Sequence, residues 1–170
     1  MQERMGVQTF KGGPLTLLGP EIKVGDKAPN FKVLTGSLQE KTLEDYKGKT
    51  LILSVAPSLD TGVCAEQTRR FNKEAASLPA GVEVLTISAD LPFAQGRFCT
   101  AENIKIATLS DHREMSFGDA YGTHIKELRL EARSLFVVGK DGKIKHVEYV
   151  KEMTTHPDYD KALAAAKADA

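Results

Sequence analysis

The sequence predicts an α/β fold with a mixed central sheet flanked by helices on both faces, and three observations lead there. Leu51 to Val55, Val82 to Ile87 and Leu135 to Val138 are near-continuous apolar runs, the pattern of strands covered on both sides. The segment that separates the first two carries a helical period instead. Asp141-Gly142, set between Leu135 to Gly139 and Ile144 to Val150, reads as a hairpin turn and adds antiparallel strands to a sheet that is otherwise parallel. At 170 residues and 41% hydrophobic content, the chain has material for one substantial core, hence a single domain over residues 1–170 with residues 1–19 as an N-terminal extension.

The elements follow in chain order. Val7 to Phe10 and Leu15 to Leu18 alternate apolar and polar residues around Lys11, Gly12, Gly13 and Pro14, which predicts an N-terminal β-hairpin ornamenting the edge of the fold. A turn-rich stretch around Gly25 to Pro29 leads to a strand at Phe31 to Leu34 and a helical turn at Leu43 to Tyr46. After the first core strand, Cys64, Thr68, Phe71, Ala75 and Leu78 recur at steps of four and three, so a helix over Gly62 to Leu78 turns that stripe inward. Pro92, lacking an N–H where a helix needs none, opens a second helix that runs through Cys99. A third is expected over Glu114 to Tyr121, and a last one starts at Pro157 with Tyr159, Leu163 and Ala166 facing the core. Strand and helix alternating, then a hairpin and a final helix, is a thioredoxin-like layout.

Composition removes several classes of function. The 23 basic and 23 acidic side chains cancel without forming blocks, which leaves no general electrostatic hold on nucleic acid or anionic lipid. No run of 18 apolar residues exists, and Met1 to Gly6 is too polar for a signal peptide's apolar region, so the chain reads as cytoplasmic with no membrane partner. Phosphate-cradling glycine loops are missing, and the four histidines lie scattered, so neither an organic cofactor nor a metal site is expected.

The two cysteines are too few to staple a scaffold of this size and need another explanation. A lone cysteine on an apolar helix face is ordinarily packing. Cys64, however, stands in the first turn of its helix, just beyond a core strand, where unpaired N–H groups and the helix dipole stabilise a thiolate. Asp60 or Thr61 can cap that helix, Pro57 stiffens the approach, and Thr61 is near enough for its hydroxyl to face the sulfur.

Pro57, Thr61 and Cys64 form the pattern Pro-x-x-x-Thr-x-x-Cys, which matches the active-site signature of the peroxiredoxin family. The run Pro57 to Cys64 resembles the thiol peroxidase branch of that family, the atypical two-cysteine peroxiredoxins. Ser88 to Cys99 is similar to the branch's segment with the resolving cysteine, and Ala132-Arg133-Ser134 resembles its arginine-bearing strand. The resemblance covers nearly the whole chain, including the N-terminal hairpin and Pro157-Asp158-Tyr159. It implies that Cys64 is the peroxidatic cysteine, that Cys99 resolves it through an intramolecular disulfide, and that Thr61 and Arg133 position and polarise the peroxide while Pro57 shields the pocket. It also implies a homodimer, thioredoxin as reductant, and hydrogen peroxide together with organic hydroperoxides as substrates.

Thiol acidity alone cannot supply such an activity. Moving a thiol from about 8.5 to about 6 raises its thiolate fraction at pH 7 about thirtyfold. Intrinsic nucleophilicity then falls roughly tenfold at a Brønsted slope of about 0.4 to 0.5, and the net gain is about threefold. Most of the acceleration must come from groups that receive charge on the leaving oxygen, for which Arg133 and the N–H groups beside Cys64 are the candidates. From sequence alone, Arg133 would otherwise be expected in a surface ion pair with Glu131 or a neighbour. Two other classes remain to be separated: a non-enzymatic redox sensor using the same cysteine pair, and a Cys-His hydrolase drawing its base from His112, His124, His146 or His156. Leu59, Phe93 and Phe98 are candidates to line an alkyl-binding site.

Overall fold

The computed structural model describes residues 1–170. Eleven strands, four α-helices and a 3-10 turn follow one another as β1 (Glu3–Phe10), β2 (Gly13–Leu18), β3 (Lys32–Leu34), β4 (Glu40–Thr42), the 3-10 turn (Leu43–Tyr46), β5 (Thr50–Val55), α1 (Gly62–Ala75), β6 (Val82–Ser88) and α2 (Pro92–Glu102). The chain continues through β7 (Ala107–Ser110), α3 (Ser116–Tyr121), β8 (His124–Ile125), β9 (Leu130–Glu131), β10 (Ser134–Val138), β11 (Ile144–Tyr149) and α4 (Tyr159–Asp169). Seven strands form the central sheet in the order β11-β10-β5-β6-β7-β3-β4. β5, β6 and β7 are parallel, whereas β10, β11, β3 and β4 join antiparallel, so the sheet is mixed as expected.

Alternation along β5 shows how the sheet is covered. Leu51, Leu53 and Val55 pack with Phe117 and Tyr121 of α3, whose rings stack 4.2 Å apart. Ile52 points the other way, into Phe71 of α1 and Ala162, Leu163 and Ala166 of α4. Every residue of β5 and β10 is buried, which explains why these runs carry no polar alternation.

The differences from expectation have local causes. α1 stops at Ala75 because Leu78 precedes Pro79 and is pushed out of the helical region, although its side chain still packs beside Phe71. α3 starts at Ser116, two residues late, since Met115 adopts a left-handed backbone and the Asp111 carboxylate takes the N–H groups of Phe117 and Gly118. α4 begins after Pro157, with Asp158 as N-cap accepting from the Lys161 N–H. The hairpin is the largest correction. It pairs with β8 and β9 in a second sheet, β1-β2-β8-β9, sealed by Leu15, Leu17, Ile125, Ala132 and Met153, so it is part of the body and not an ornament.

Candidate active site

Cys64 occupies the third position of α1 and is fully buried. Thr61 is the N-cap by backbone, extended at φ −104° and ψ 152°, but its hydroxyl donates to the Ser58 carbonyl at 2.9 Å and leaves the helix uncapped by any side chain. Neither the Thr61 hydroxyl nor the Asp60 carboxylate therefore caps the helix as anticipated. The first N–H to find a partner is that of Ala65, on the Thr61 carbonyl, and those of Gly62, Val63 and Cys64 remain unpaired. Three donors at the positive end of a fourteen-residue helix surround the sulfur's own residue.

Arg133 lies between β9 and β10 and is almost completely buried. The expected surface ion pair with Glu131 does not form. Its guanidinium instead donates from Nε to the Met153 carbonyl at 2.7 Å, from Nη1 to Gln67 Oε1 at 2.9 Å, and from Nη2 to Cys64 Sγ at 3.2 Å. The planar fork is thus aimed by two acceptors and presents its third edge to the sulfur. Gln67, one turn after Cys64 on α1, is held by its own Nε2 on Ser54 Oγ at 2.8 Å.

A cavity of about 420 Å³ opens above this cluster, lined by Pro57, Thr61, Val63, Arg133 and Met153, with Phe10, Leu128 and Leu130 farther along its wall. Cys64 itself does not line it; Arg133 does. The lining is mostly apolar apart from the guanidinium and the loop around Thr61, so an anion or a polar oxygen entering here meets one cation and the helix start. Leu59 is buried elsewhere, Phe93 is exposed, and neither they nor Phe98 reach the cavity, which corrects the sequence-based candidates for an apolar lining.

Cys99 sits in the last turn of α2, half-buried, with its sulfur 3.4 Å from Thr108 Oγ1 of β7. Both cysteines are free thiols. One carboxylate joins their surroundings: Asp90 accepts from Ser58 Oγ at 2.7 Å and from the Leu59 N–H at 2.8 Å, just before Pro92 begins α2. None of the histidines touches Cys64. His124 bonds Asp119, His156 bonds Tyr159 and pairs with Glu66, and His112 and His146 make no side-chain contact with the sulfur, so the base that a Cys-His hydrolase needs is not in place.

A family profile described as Redoxin matches residues 23–163. The chain is also 65% identical over 161 residues to the thiol peroxidase of Bacillus subtilis, covering 94% of this chain and 96% of that one. The chain belongs to the redoxin family, in the thiol peroxidase branch of the peroxiredoxins. The thiol peroxidase of Halalkalibacterium halodurans is 62% identical over equal coverage. A crystal structure of a peroxiredoxin-like protein from Aquifex aeolicus superimposes with a TM-score of 0.89 at 40% identity, covering 97% of this chain and 98% of that one, in agreement with the thioredoxin-like layout.

Two polar residues of the redoxin site escaped the sequence reading. Gln67 and Gln8 are fully buried and both contact Arg133. Gln67 had a visible signal, because an amide at Cys64 + 3 falls on the inward stripe, where polar residues demand partners. Glu131, expected at the surface, is instead buried: burial first, then the neighbouring Asp111, hold its carboxyl well above the ordinary carboxylate range, and the hydroxyl of Thr123, just ahead of β8, donates to it.

Proposed function

We propose that this chain reduces hydrogen peroxide and organic hydroperoxides through Cys64. The Cys64 thiolate attacks one peroxide oxygen, the O–O bond breaks, and the second oxygen leaves with a proton as water or alcohol, giving a Cys64 sulfenic acid. The Cys99 thiol then displaces that hydroxyl as water and forms the Cys64–Cys99 disulfide. An external dithiol, thioredoxin in the family, returns both thiols and becomes oxidised itself. The observation that carries the reading is Arg133 Nη2 at 3.2 Å from Cys64 Sγ, beside unpaired N–H groups. A cation and three donors there stabilise the thiolate and then the negative charge growing on the departing oxygen, the larger requirement.

Thr61 supports the same step. Its proton is committed to the Ser58 carbonyl, so its free lone pairs accept from the hydroperoxide O–H and orient the substrate. Pro57 forms the wall that keeps water from the sulfur. The apolar stretch from Val63 to Phe10 along the cavity favours an alkyl substituent on the peroxide. A cytoplasmic setting and a homodimer complete the reading, and no helix is long and apolar enough to cross a membrane.

A panel of hydrogen peroxide, cumene hydroperoxide and a fatty-acid hydroperoxide, assayed with thioredoxin, its reductase and NADPH, tests the proposal with Cys64→Ser as blank. Continuous NADPH consumption that depends on Cys64 is expected. A single stoichiometric oxidation without turnover would instead support a redox sensor.

A further inference from the structure

β1 carries a bulge. Its register against β2 breaks between Met5 and Thr9, with Gly6 at φ +78°, a left-handed backbone that glycine adopts without strain. Successive residues Val7 and Gln8 both turn away from solvent there, which a strict two-residue alternation would forbid. Gln8 ends up with no exposed surface, 125 residues away in sequence from the arginine it meets.

Its amide is fully used. Nε2 donates to the carbonyls of Arg133 at 3.0 Å and Val150 at 2.7 Å, while Oε1 accepts from the Arg133 N–H at 3.3 Å. The orientation is fixed by chemistry, since two carbonyls can only accept. The Arg133 carbonyl also accepts from the Val150 N–H at 3.1 Å, so the Gln8 amide supplements the ladder at the C=O and supplies the partner that the ladder leaves out at the N–H. The neighbouring residue extends the grip: Thr9 donates its N–H to the Lys151 carbonyl at 2.7 Å and accepts from the Met153 N–H at 2.8 Å. Met153 is the residue whose carbonyl receives Arg133 Nε. Glu152 then ties the hairpin down, accepting from Thr9 Oγ1 and the Gly12 N–H, each at 2.9 Å.

We propose that Gln8 is a positioning residue for peroxide reduction, fixing the main chain of Arg133 from the N-terminal hairpin so that the guanidinium meets the sulfur. The inference rests on the reading of Arg133 as the group that stabilises the departing oxygen. An arginine's long side chain amplifies small errors at its Cα, and a displacement of about 1 Å costs on the order of a hundredfold in a well-oriented reaction.

The test separates steps of one cycle by stopped-flow fluorescence or by quenching and mass analysis. Gln8→Ala is expected to lower the second-order rate of Cys64 oxidation by hydrogen peroxide by about ten- to a hundredfold. The first-order condensation with Cys99, which does not use Arg133, should stay within about twofold. Equal losses in both steps would mean general loosening and overturn the inference, as would a folded variant that oxidises at the parental rate. Gln8→Glu supplies an independent readout should the alanine variant not fold. An ionised carboxylate cannot donate to either the Arg133 or the Val150 carbonyl, whereas a protonated one recovers one of the two donations, so the ratio of its oxidation rate to that of the parent should rise as pH falls. A ratio independent of pH overturns the proposal. If the parent itself reduces no peroxide, the Arg133 reading fails; if it does and Gln8→Ala matches it, only the role of Gln8 fails.

Discussion

The two cysteines stand on helices of very different security. α1 buries Cys64, Ala65, Gln67, Thr68 and Phe71 against the sheet, and its first turn is interlocked with Arg133. α2 buries only Pro92 and Gln95, carries a glycine at its centre and presents no apolar stripe. Helical stability in a folded protein comes mainly from burying one face, and an interior glycine costs about 0.5–1 kcal/mol relative to alanine. One helix is held firmly against the sheet, and the other has little buried surface to resist unwinding. A disulfide needs Cα atoms within about 7 Å, and the sulfurs face different partners, Arg133 and Thr108, so the proposed Cys64–Cys99 disulfide requires α2 to yield.

The sharpest way to break this contrast is to remove the sulfurs in turn. Cys64→Ser should abolish peroxide turnover to the limit of detection in the coupled assay. Cys99→Ser should leave the first oxidation within about twofold by stopped flow and stop the cycle there, with the sulfenic acid or an intersubunit product visible by intact mass. A clean monomeric intrachain disulfide in that variant would sink the assignment of Cys99. Next in size, Arg133→Ala should slow Cys64 oxidation by about a hundredfold, the usual cost of losing a donor to a developing anion. The thiolate absorbance near 240 nm, followed against pH, should change far less than the rate. Proportionate losses in thiolate and rate would mean that acidity, not charge stabilisation, is what the arginine supplies.

Gly96→Ala addresses the other side of the comparison. Gly96 is exposed, and a methyl group there meets no atom within 4 Å. Stabilising α2 by about 0.5–1 kcal/mol should slow disulfide formation about two- to fivefold and leave peroxide attack untouched. Unchanged condensation would show that Cys99 reaches Cys64 without unwinding its helix.

The smallest expected effect concerns the strand that delivers Arg133. Below about pH 4.5, the ordinary value for its carboxyl, Glu131 is protonated in both folded and unfolded chains. Above it the unfolded chain releases the proton while burial keeps it on the folded one, so this group lowers stability progressively until the folded carboxyl also ionises. Glu131→Gln should therefore flatten the loss of stability as pH rises above about 4.5 in denaturant titrations. A steeper loss would show that Glu131 is charged in the folded protein.

The same contrast explains what could be read from the letters. The central strands and both cysteine helices were legible because they bury continuous apolar runs or open on a capping signal. β4, β7, β8 and β9 were not: each has two to four residues, too few for any period, and β7 is half hydroxyl-bearing. Of the site, Pro57, Thr61 and Cys64 form a local pattern, whereas Cys99 and Arg133 were tied to them only through the family resemblance. Gln8 is one polar residue in the alternating hairpin pattern, and the bulge that buries it has no signature beyond Gly6. The pairing of Arg133 with Gln67 arises only when the fold brings α1 beside β10.

Asp90 gives the proposed cycle a direction. Its carboxylate pins Ser58, in the rim of the cavity, together with the N–H of Leu59 behind it, and stands immediately ahead of the residues that start α2, while Cys99 lies at the opposite end, where its carbonyl receives the closing Asn103 and Ile104 N–H groups. In the proposed cycle, fraying from the tail would free the second thiol and leave the contacts around the first one in place. Fraying from the head would release both together and admit bulk solvent to a newly oxidised sulfur.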